Sequence, residues 1–271
     1  MPTEKNDPFK IDEPTVISFS GGRTSAYMLW RVLQANEGLP SEAIVCFANT
    51  GKEDEATLRF VDKCSREWRV PITWIEFRKD VQGYEIVNFQ TASRNGEPFE
   101  QLIEKRRYLP NTFARFCTSE LKINIIKKHM KSLGFDEFVT FVGIRADEPR
   151  RVAKMRNNAD EKETPLATVG IGNADVLEFW KRQSFNLDTV TVEGNSLLSN
   201  CDLCFLKKPA HLLSLVKDKP QRAIWWASME AKINARFNQA IPSYAAMSKF
   251  AEEQFDMFDP NEEAIACFCG D

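Results

Sequence analysis

The chain alternates between short apolar segments and amphipathic stretches, and this alternation constrains the fold more than any other feature. Residues 15–20 (TVISFS) and 43–47 (AIVCF) have the pattern of buried strands, and each is followed by a turn and a helical pattern. Residues 71–77 (PITWIEF) and 137–144 (EFVTFVGI) continue the series. Strands that alternate with helices form a parallel sheet with helices on both faces. The sequence therefore predicts an α/β fold built on a doubly wound parallel sheet.

The pattern divides the chain into three parts. Residues 1–13 form a polar leader that we expect to be loosely held, and residues 14–190 form the α/β domain. Residues 191–271 form a helical region with a CxxC pair and a cysteine-rich tail. Within the domain, residues 80–112 are polar and contain Gly and Pro, which predicts a long loop over the site. We expect residues 151–172 to be irregular.

Charge and hydropathy exclude two classes of protein. The formal net charge of the 271 residues is −3, which argues against a surface that binds nucleic acid throughout but allows a local basic patch. No apolar run approaches the roughly 18–20 residues that span a membrane, and the N-terminus lacks a signal pattern. We therefore expect a cytoplasmic protein with no membrane partner.

The turn after the first strand has the composition of an anion site. Two glycines allow backbone amides to approach an anion closely, and the following helix start presents unpaired N–H groups and a positive dipole end. Hydroxyls and one guanidinium add donors. The alternative is an ordinary glycine turn with a Ser or Thr helix cap. The residues assigned to phosphate or sulfate binding are Ser20, Gly21, Gly22, Arg23, Thr24 and Ser25.

Two further strand ends carry polar turns, and ligands of parallel sheets bind at such ends. Asn49, Thr50 and Gly51 follow the second strand and are candidates for nucleoside contacts; a plain turn capped by Thr50 is the alternative. The segment VGIRADEPRR contains arginines suited to phosphate or sulfate oxygens, with a solvated charge run as the alternative. Its candidate residues are Gly143, Arg145, Arg150 and Arg151.

Five of the seven cysteines indicate metal or redox chemistry. Cys46 and Cys64 lie in apolar patterns that predict buried thiols. Cys201 and Cys204 form a CxxC pair, and Cys117 lies just before a helix, where the dipole favours the thiolate. Four thiolates suit a 4Fe-4S cluster, and they also suit zinc; free thiols are the remaining reading. The other two members of the set are Cys267 and Cys269.

Three blocks occur in the order typical of one enzyme family. SFSGGRTS resembles the PP-loop, usually SGGKDS, with Arg23 and Thr24 where Lys and Asp are common. FANTGKEDEATLRFV and VGIRADEPRR resemble the next two blocks of the phosphoadenosine phosphosulfate (PAPS) reductase family. The resemblance covers about residues 15–210 and implies an adenine nucleotide substrate: PAPS, adenylyl sulfate (APS) or ATP. It places Arg145 and Arg150 beside the phosphosulfate as catalytic residues.

The same resemblance assigns roles to the cysteines. Cluster-bearing reductases have a Cys-Cys pair before a basic helix and a later CxxC, which implies Cys117, Cys201 and Cys204 as ligands, with Cys267 as the fourth. Cys269-Gly270 resembles the core of the mobile catalytic tail, whose thiolate attacks the sulfonate sulfur. The reverse assignment of Cys267 and Cys269 stays open.

Three functions follow from the resemblance. The first is a PAPS or APS reductase that releases sulfite with a thioredoxin-like or other thiol reductant. The second is an ATP-dependent sulfurtransferase that acts on tRNA or DNA, with nucleic acid as a partner. The third is a nucleotide-binding regulator without catalysis. Compact versions of the family also imply a phage or bacterial source.

Overall fold

A six-stranded sheet forms the centre of the molecule. The structure is a computed structural model that describes residues 7–80, 82–156, 162–189, 191–192, 195–196, 198 and 201–255. The strands lie in the order β4-β3-β2-β1-β5-β6. Their bounds are β1 (Thr15–Ser18), β2 (Ala43–Asn49), β3 (Thr73–Phe77), β4 (Tyr84–Val87), β5 (Val139–Val142) and β6 (Lys162–Glu163).

All neighbouring strands are parallel except β3 and β4, which pair antiparallel with Glu76 opposite Glu85. The predicted doubly wound α/β fold is therefore confirmed, with an antiparallel strand at one edge. The prediction of a continuous loop over residues 80–112 is wrong, because β4 and a helix, α3 (Glu97–Arg106), lie within it. β4 has only four residues with two of them exposed, so its apolar pattern is too short to stand out.

Helices cover both faces of the sheet. Residues 151–172 are more regular than predicted, since they contain most of α6, then β6 and α7. The helices are α1 (Arg23–Ala35), α2 (Glu55–Glu67), α3, α4 (Phe116–Thr118), α5 (Asn124–Ser132), α6 (Pro149–Arg156), α7 (Pro165–Thr168), α8 (Asn173–Lys181), α9 (Pro209–Asp218), α10 (Gln221–Ile233) and α11 (Tyr244–Phe255). A π-helical turn, Ser119–Ile123, joins α4 to α5, and a small hairpin pairs β7 (Thr191–Val192) with β8 (Asn195–Ser196).

Two apolar clusters hold the layers together. One includes residues of α1, α2 and α8; the other joins sheet residues such as Val16 and Ile75 to the C-terminal helices through Leu212 and Trp226. The C-terminal helices therefore pack directly against the sheet. Phe9 is completely buried, so the expectation of a loosely held leader is wrong for residues 7–13. None of the described helices is long and apolar enough to cross a membrane.

The strand order determines where a ligand can bind. From β1 the chain adds β2 and β3 on one side and later adds β5 on the other side. The order therefore reverses between β1 and β5, and open α/β sheets bind ligands at the carboxyl ends of the strands beside such a reversal. The segment with Gly21 and Gly22 follows β1, and the segment with Arg145 follows β5. Two of the three polar blocks thus flank this crevice.

Candidate nucleotide and cysteine site

The turn between β1 and α1 needs glycine at one position. Gly21 has φ +75, and a Cβ there would lie 2.6 Å from the Cγ2 atom of Thr57 and 3.1 Å from the ring of Phe47. A side chain would be strained in this backbone and would collide with α2. Gly22 is the N-cap of α1, and no side chain caps this helix end. The first N–H groups of α1 lack partners within the helix and can bind an anion.

Ser25 braces the turn from inside the first turn of α1. Its Oγ accepts from the backbone N–H of Ser20 at 3.1 Å, lies 2.9 Å from the Ser20 Oγ, and donates to the carbonyl of Gly22 at 3.0 Å. Both hydroxyls therefore lie beside the glycine pair. This arrangement preserves the turn shape while leaving helix N–H groups available.

Arg23 is engaged on the other side of the helix start. Its Nε donates to Asn186 Oδ1 at 2.7 Å, and its Nη2 donates to the carbonyl of Leu187 at 2.7 Å. Burial lowers the pKa of the Arg23 guanidinium. These contacts tie α1 to the segment after α8, and direct phosphate binding by Arg23 stays a prediction.

The segment after β5 packs against the phosphate loop. A Cβ at Gly143 would lie 2.9 Å from the Cα of Ser25, so only glycine permits this approach. Arg145 donates from Nη1 to the Thr24 hydroxyl at 3.3 Å and from Nε to Asp147 at 2.9 Å. The structure thus brings together two sequence blocks that are more than a hundred residues apart.

Arg150 and Arg151 are exposed in the first turn of α6. Arg151 donates to Glu148, whose other oxygen accepts from the backbone N–H of Arg145 at 3.1 Å. Glu148 therefore links this helix start to the arginine beside the phosphate loop. Ligand contacts by Arg150 and Arg151 stay predictions.

The turn after β2 is buried and satisfied internally. Asn49 donates to Glu76 at 2.6 Å and to the carbonyl of Ser93 at 2.9 Å, and it accepts from the N–H of Gly51 at 3.1 Å. Thr50 donates to Glu53 from both its N–H and its hydroxyl at 2.8 Å. These bonds favour a role in shaping the turn. Nucleoside contacts by Asn49, Thr50 and Gly51 stay predictions.

The CxxC pair is fastened to this same turn. Cys201 forms an isolated antiparallel bridge with Glu53, and its sulfur lies 3.5 Å from the Thr50 hydroxyl. Asp202 forms a buried ion pair with Lys52, with 3.1 Å between Oδ2 and Nζ, and accepts from the indole N–H of Trp226 at 2.8 Å. Asp202 therefore anchors the pair to both the sheet edge and α10.

Cys117 approaches the pair from α4. Burial lowers the pKa of Lys122, but the charges of Glu53, Cys201, Cys204 and Cys117 raise it above its ordinary value. The Lys122 ammonium lies 3.7 Å from Glu53 Oε1. Burial raises the pKa of the Cys117 thiol, and Cys204 raises it further. We predicted that the helix dipole favours the Cys117 thiolate. The structure instead favours the protonated thiol, because burial raises its pKa.

Comparison with known proteins identifies the family. Residues 14–169 match the phosphoadenosine phosphosulfate reductase domain. The chain belongs to the PAPS reductase family. The nin region protein ORF290 of Escherichia phage lambda is 30% identical over 220 residues, which cover 75% of this chain and 70% of that protein. A 37.8 kDa protein from the gpa 5' region of Escherichia phage 186 is 24% identical over 292 residues, with 93% and 86% coverage.

A solved structure, the U34-tRNA thiolase NcsA from Methanococcus maripaludis with its 4Fe-4S cluster, is also similar. It covers 96% of this chain and 77% of its own, with a TM-score of 0.40 and 13% identity. A likeness of this degree supports no inference about function. The assignment to the PAPS reductase family rests on the domain match over residues 14–169.

The thiols of this PAPS reductase family member suit a cluster by their chemistry. Within the described residues no group of three or more His, Cys, Asp or Glu side chains is placed to hold a metal ion. However, Glu53 Oε1 is buried without a hydrogen-bond partner beside the thiols and Lys122. Buried polar atoms are rarely left unsatisfied, so this neighbourhood is consistent with an additional bound group. The two remaining candidates, Cys267 and Cys269, lie outside the described residues.

Sequence analysis missed four residues that surround these thiols. Glu53, Lys122 and Asp202 are described above, and Lys207 donates to the carbonyl of Cys201 at 3.0 Å. Asp202 lies inside the CxxC motif, which could have drawn attention to it. Lys207 follows Cys204 by three residues, so its closeness was also visible in the sequence, whereas Glu53 reaches Cys201 only through the folded chain.

Proposed function

We propose that the protein is an enzyme that binds an adenine nucleotide at the phosphate loop and carries out sulfur chemistry with the neighbouring cysteines. One observation supports this proposal most strongly: a single segment, residues 50–57, contacts both sites. Thr57 packs against Gly21 of the phosphate loop, while Thr50 and Glu53 contact Cys201. The nucleotide and the thiols would therefore share one edge of the sheet.

The phosphate groups would bind at the crevice between β1 and β5. Backbone N–H groups near Gly21 and Gly22 and at the start of α1 would hold the anion. The hydrogen bond to Thr24 holds the Arg145 guanidinium beside the phosphate loop. A guanidinium at this position would stabilise the negative charge of a leaving phosphate. We assign Arg145 and Arg150 to this role.

The simplest reaction is the reduction of adenylyl sulfate. The Cys269 thiolate attacks the sulfonate sulfur, the sulfur–oxygen bond to phosphate breaks, and the nucleotide leaves with that electron pair. The product is an S-sulfonated cysteine. A dithiol such as a thioredoxin-like protein then supplies two electrons, releases sulfite and becomes a disulfide. The third function of the initial set, a catalytically inactive regulator, would lack both steps.

The remaining cysteines would hold the cluster. We propose Cys117, Cys201, Cys204 and Cys267 as its four thiolate ligands. Such a cluster supplies electron transfer and an electrophilic site for sulfur when bound. Lys122 and Asp202 would maintain the positions of these ligands. Zinc is the alternative occupant of four thiolates.

A second candidate reaction is ATP-dependent sulfur transfer to nucleic acid. It is favoured by an exposed segment, residues 105–115, that is basic and aromatic and lies immediately before Cys117. In this reaction an acceptor oxygen would attack the α-phosphorus of ATP and release pyrophosphate, and sulfide would then displace AMP together with that oxygen.

Anaerobically purified protein should distinguish these reactions. Sulfite release from PAPS or APS with thioredoxin supports reduction, whereas pyrophosphate release from ATP that requires RNA or DNA supports transfer. Iron and sulfide analysis of the same sample tests the cluster. Nucleotide binding without either turnover would leave only the regulator.

A further inference from the structure

A basic, aromatic segment lies next to the cysteine site. Residues 105–119 (KRRYLPNTFARFCTS) contain four cations and no acidic residue, although the whole chain has a net charge of −3. The side chain of Phe113 is 97% exposed and that of Tyr108 is 47% exposed. A phenyl ring this exposed contributes little to the stability of its own fold and is accessible to a partner.

The segment has a defined shape. Asn111 Oδ1 accepts from the N–H groups of Phe113 at 2.9 Å and Ala114 at 2.8 Å, and the Asn111 N–H donates to the carbonyl of Ala114 at 3.2 Å. Leu109 is buried in the core beneath the loop. The turn centred on Asn111 therefore holds the Phe113 ring outward.

A groove adjoins the two exposed rings. It has a volume of about 440 Å³ and separates the loop with Tyr108 and Phe113 from the turn around Ala235 and Arg236. The floor includes the buried ring of Phe237. Flat aromatic walls with adjacent guanidinium groups suit the face of a nucleobase, because every base can stack on such a surface.

The charge around the groove is positive and largely uncompensated. The described residues contain no ion pair of Lys105, Arg107 or Arg115, all of which are exposed. Nearby acids are already paired: Glu104 with Lys79 and Lys232, and Glu120 with Arg106. The distances for Glu104 are 3.0 and 2.7 Å. The ammonium of Lys105 lies 5.5 Å from the centre of the Phe77 ring, so Arg107 and Arg115 are the two cations that remain available for phosphates.

We propose that this groove binds an unpaired nucleotide of a single-stranded nucleic acid. A base stacks on Phe113 and Tyr108, and the flanking phosphates contact Arg107 and Arg115. The ring of Tyr108 lies 6.0 Å from that of Phe116, the residue before Cys117, so the bound strand runs beside the thiols. This inference rests on the proposed function and identifies the acceptor class for its transfer reaction.

Fluorescence anisotropy of a labelled strand of about 15 nucleotides tests the docking. DNA and RNA of one sequence, single-stranded and duplex, are compared with the full chain. Phe113→Ala should weaken single-strand binding about 10-fold. The matched control is Phe250→Ala, which removes another exposed phenyl ring, 42% exposed on α11. This control should bind like the parent protein.

The charges are tested separately by salt dependence. Arg107→Gln combined with Arg115→Gln should reduce the slope of log affinity against log salt by about 1.4. The control is Lys181→Gln combined with Arg182→Gln, which removes the same charge from exposed positions at the C-terminal end of α8. That control should leave the slope unchanged.

The outcomes separate this inference from the proposed function. ATP or PAPS binding is measured on each sample. A sample that binds nucleotide but no single strand, or that prefers duplex, overturns the docking inference alone. The inference is also overturned if Phe113→Ala binds the single strand as tightly as the parent protein does. It is likewise overturned if Phe113→Ala weakens the binding of thioredoxin and leaves strand binding intact. If the parent protein binds neither ATP nor PAPS, the result instead contradicts the proposed function.

Discussion

The phosphate loop and the cysteine site occupy the same edge of the sheet but are built in opposite ways. The loop is one continuous segment whose proposed ligand groups are backbone N–H groups, and its shape depends on the positive φ of Gly21. The cysteine site is assembled from α4, the turn after β2 and the segment around Cys201. It depends on side-chain charges that are partly removed from water.

The difference concerns where each site obtains its stability. A backbone site is formed as soon as a strand and helix adopt their local conformations. In a site built from charged side chains, burying each charge costs free energy, and an oppositely charged or hydrogen-bonding partner must compensate this cost. Substitutions at the cysteine site should therefore affect folding, whereas substitutions at the loop edge should affect ligand binding more than folding.

The largest expected effect is at Asp202. Asp202→Ala leaves Lys52 buried without its partner and removes the acceptor for Trp226. We expect a loss of about 3–5 kcal/mol in the free energy of unfolding, measured in urea, and a loss of bound iron. Asp218→Ala removes a carboxylate that is 53% exposed and pairs with Arg222, and should cost under about 1 kcal/mol. Equal costs for the two variants would contradict the buried anchor.

Gly21→Ala should affect both the stability of the fold and the binding of the ligand. The strained backbone and the contact with Thr57 should cost about 2 kcal/mol of stability and weaken nucleotide affinity at least 10-fold, measured by calorimetry. Gly134 provides the matched control, since it has φ +92 but nothing within 4 Å of an added Cβ. Gly134→Ala should retain full affinity. If both variants bind nucleotide normally, the loop does not hold the phosphates.

Arg145→Gln should reduce nucleotide affinity about 10-fold, because one charge-assisted contact with the ligand is lost. It should also cost about 1 kcal/mol of stability, because the contacts with Thr24 and Asp147 are lost. Arg182→Gln is the control, as Arg182 is 74% exposed on α8 and pairs with Glu178. A titration of PAPS and ATP against both variants checks this. Normal nucleotide affinity in Arg145→Gln would mean that Arg145 does not contact the phosphates.

The smallest effect concerns pH. Burial lowers the pKa of His129, whose Nδ1 lies 3.5 Å from the Tyr84 hydroxyl. A lowered folded-state pKa means that the neutral form is favoured by folding, so stability present above the ordinary pKa is lost as the pH falls. His129→Gln should flatten the decline in the urea midpoint between about pH 7 and 5, while His211→Gln should not. Parallel declines in all three proteins would contradict this contribution.

The sequence predicted the regular parts of the fold and the continuous site. β1, β2, β3 and β5 carry enough apolar residues to be recognised, and the glycine turn is visible in six letters. Lys122 could not be predicted to approach Cys117. Five residues cover about 500° in an α-helix, which separates the two side chains by about 140°. The π turn Ser119–Ile123 changes the angle between the two side chains, and the sequence pattern does not predict such a turn.

The other omissions have a similar cause. Glu53 reads as an ordinary acid near a helix start, and its burial depends on Cys201, which is far away in the chain. The edge strand β4 is too short for a periodic signal. Local patterns were therefore sufficient to predict the phosphate loop, while the surroundings of the thiols could be described only from the fold.

The most direct test of the central claim is a crystal structure of the anaerobically purified protein with bound ATP or PAPS. We predict phosphate density against the N–H groups after Gly21 and at the start of α1, with Cys117, Cys201 and Cys204 at the same sheet edge. A nucleotide bound elsewhere, with this turn free of phosphate, would contradict the account.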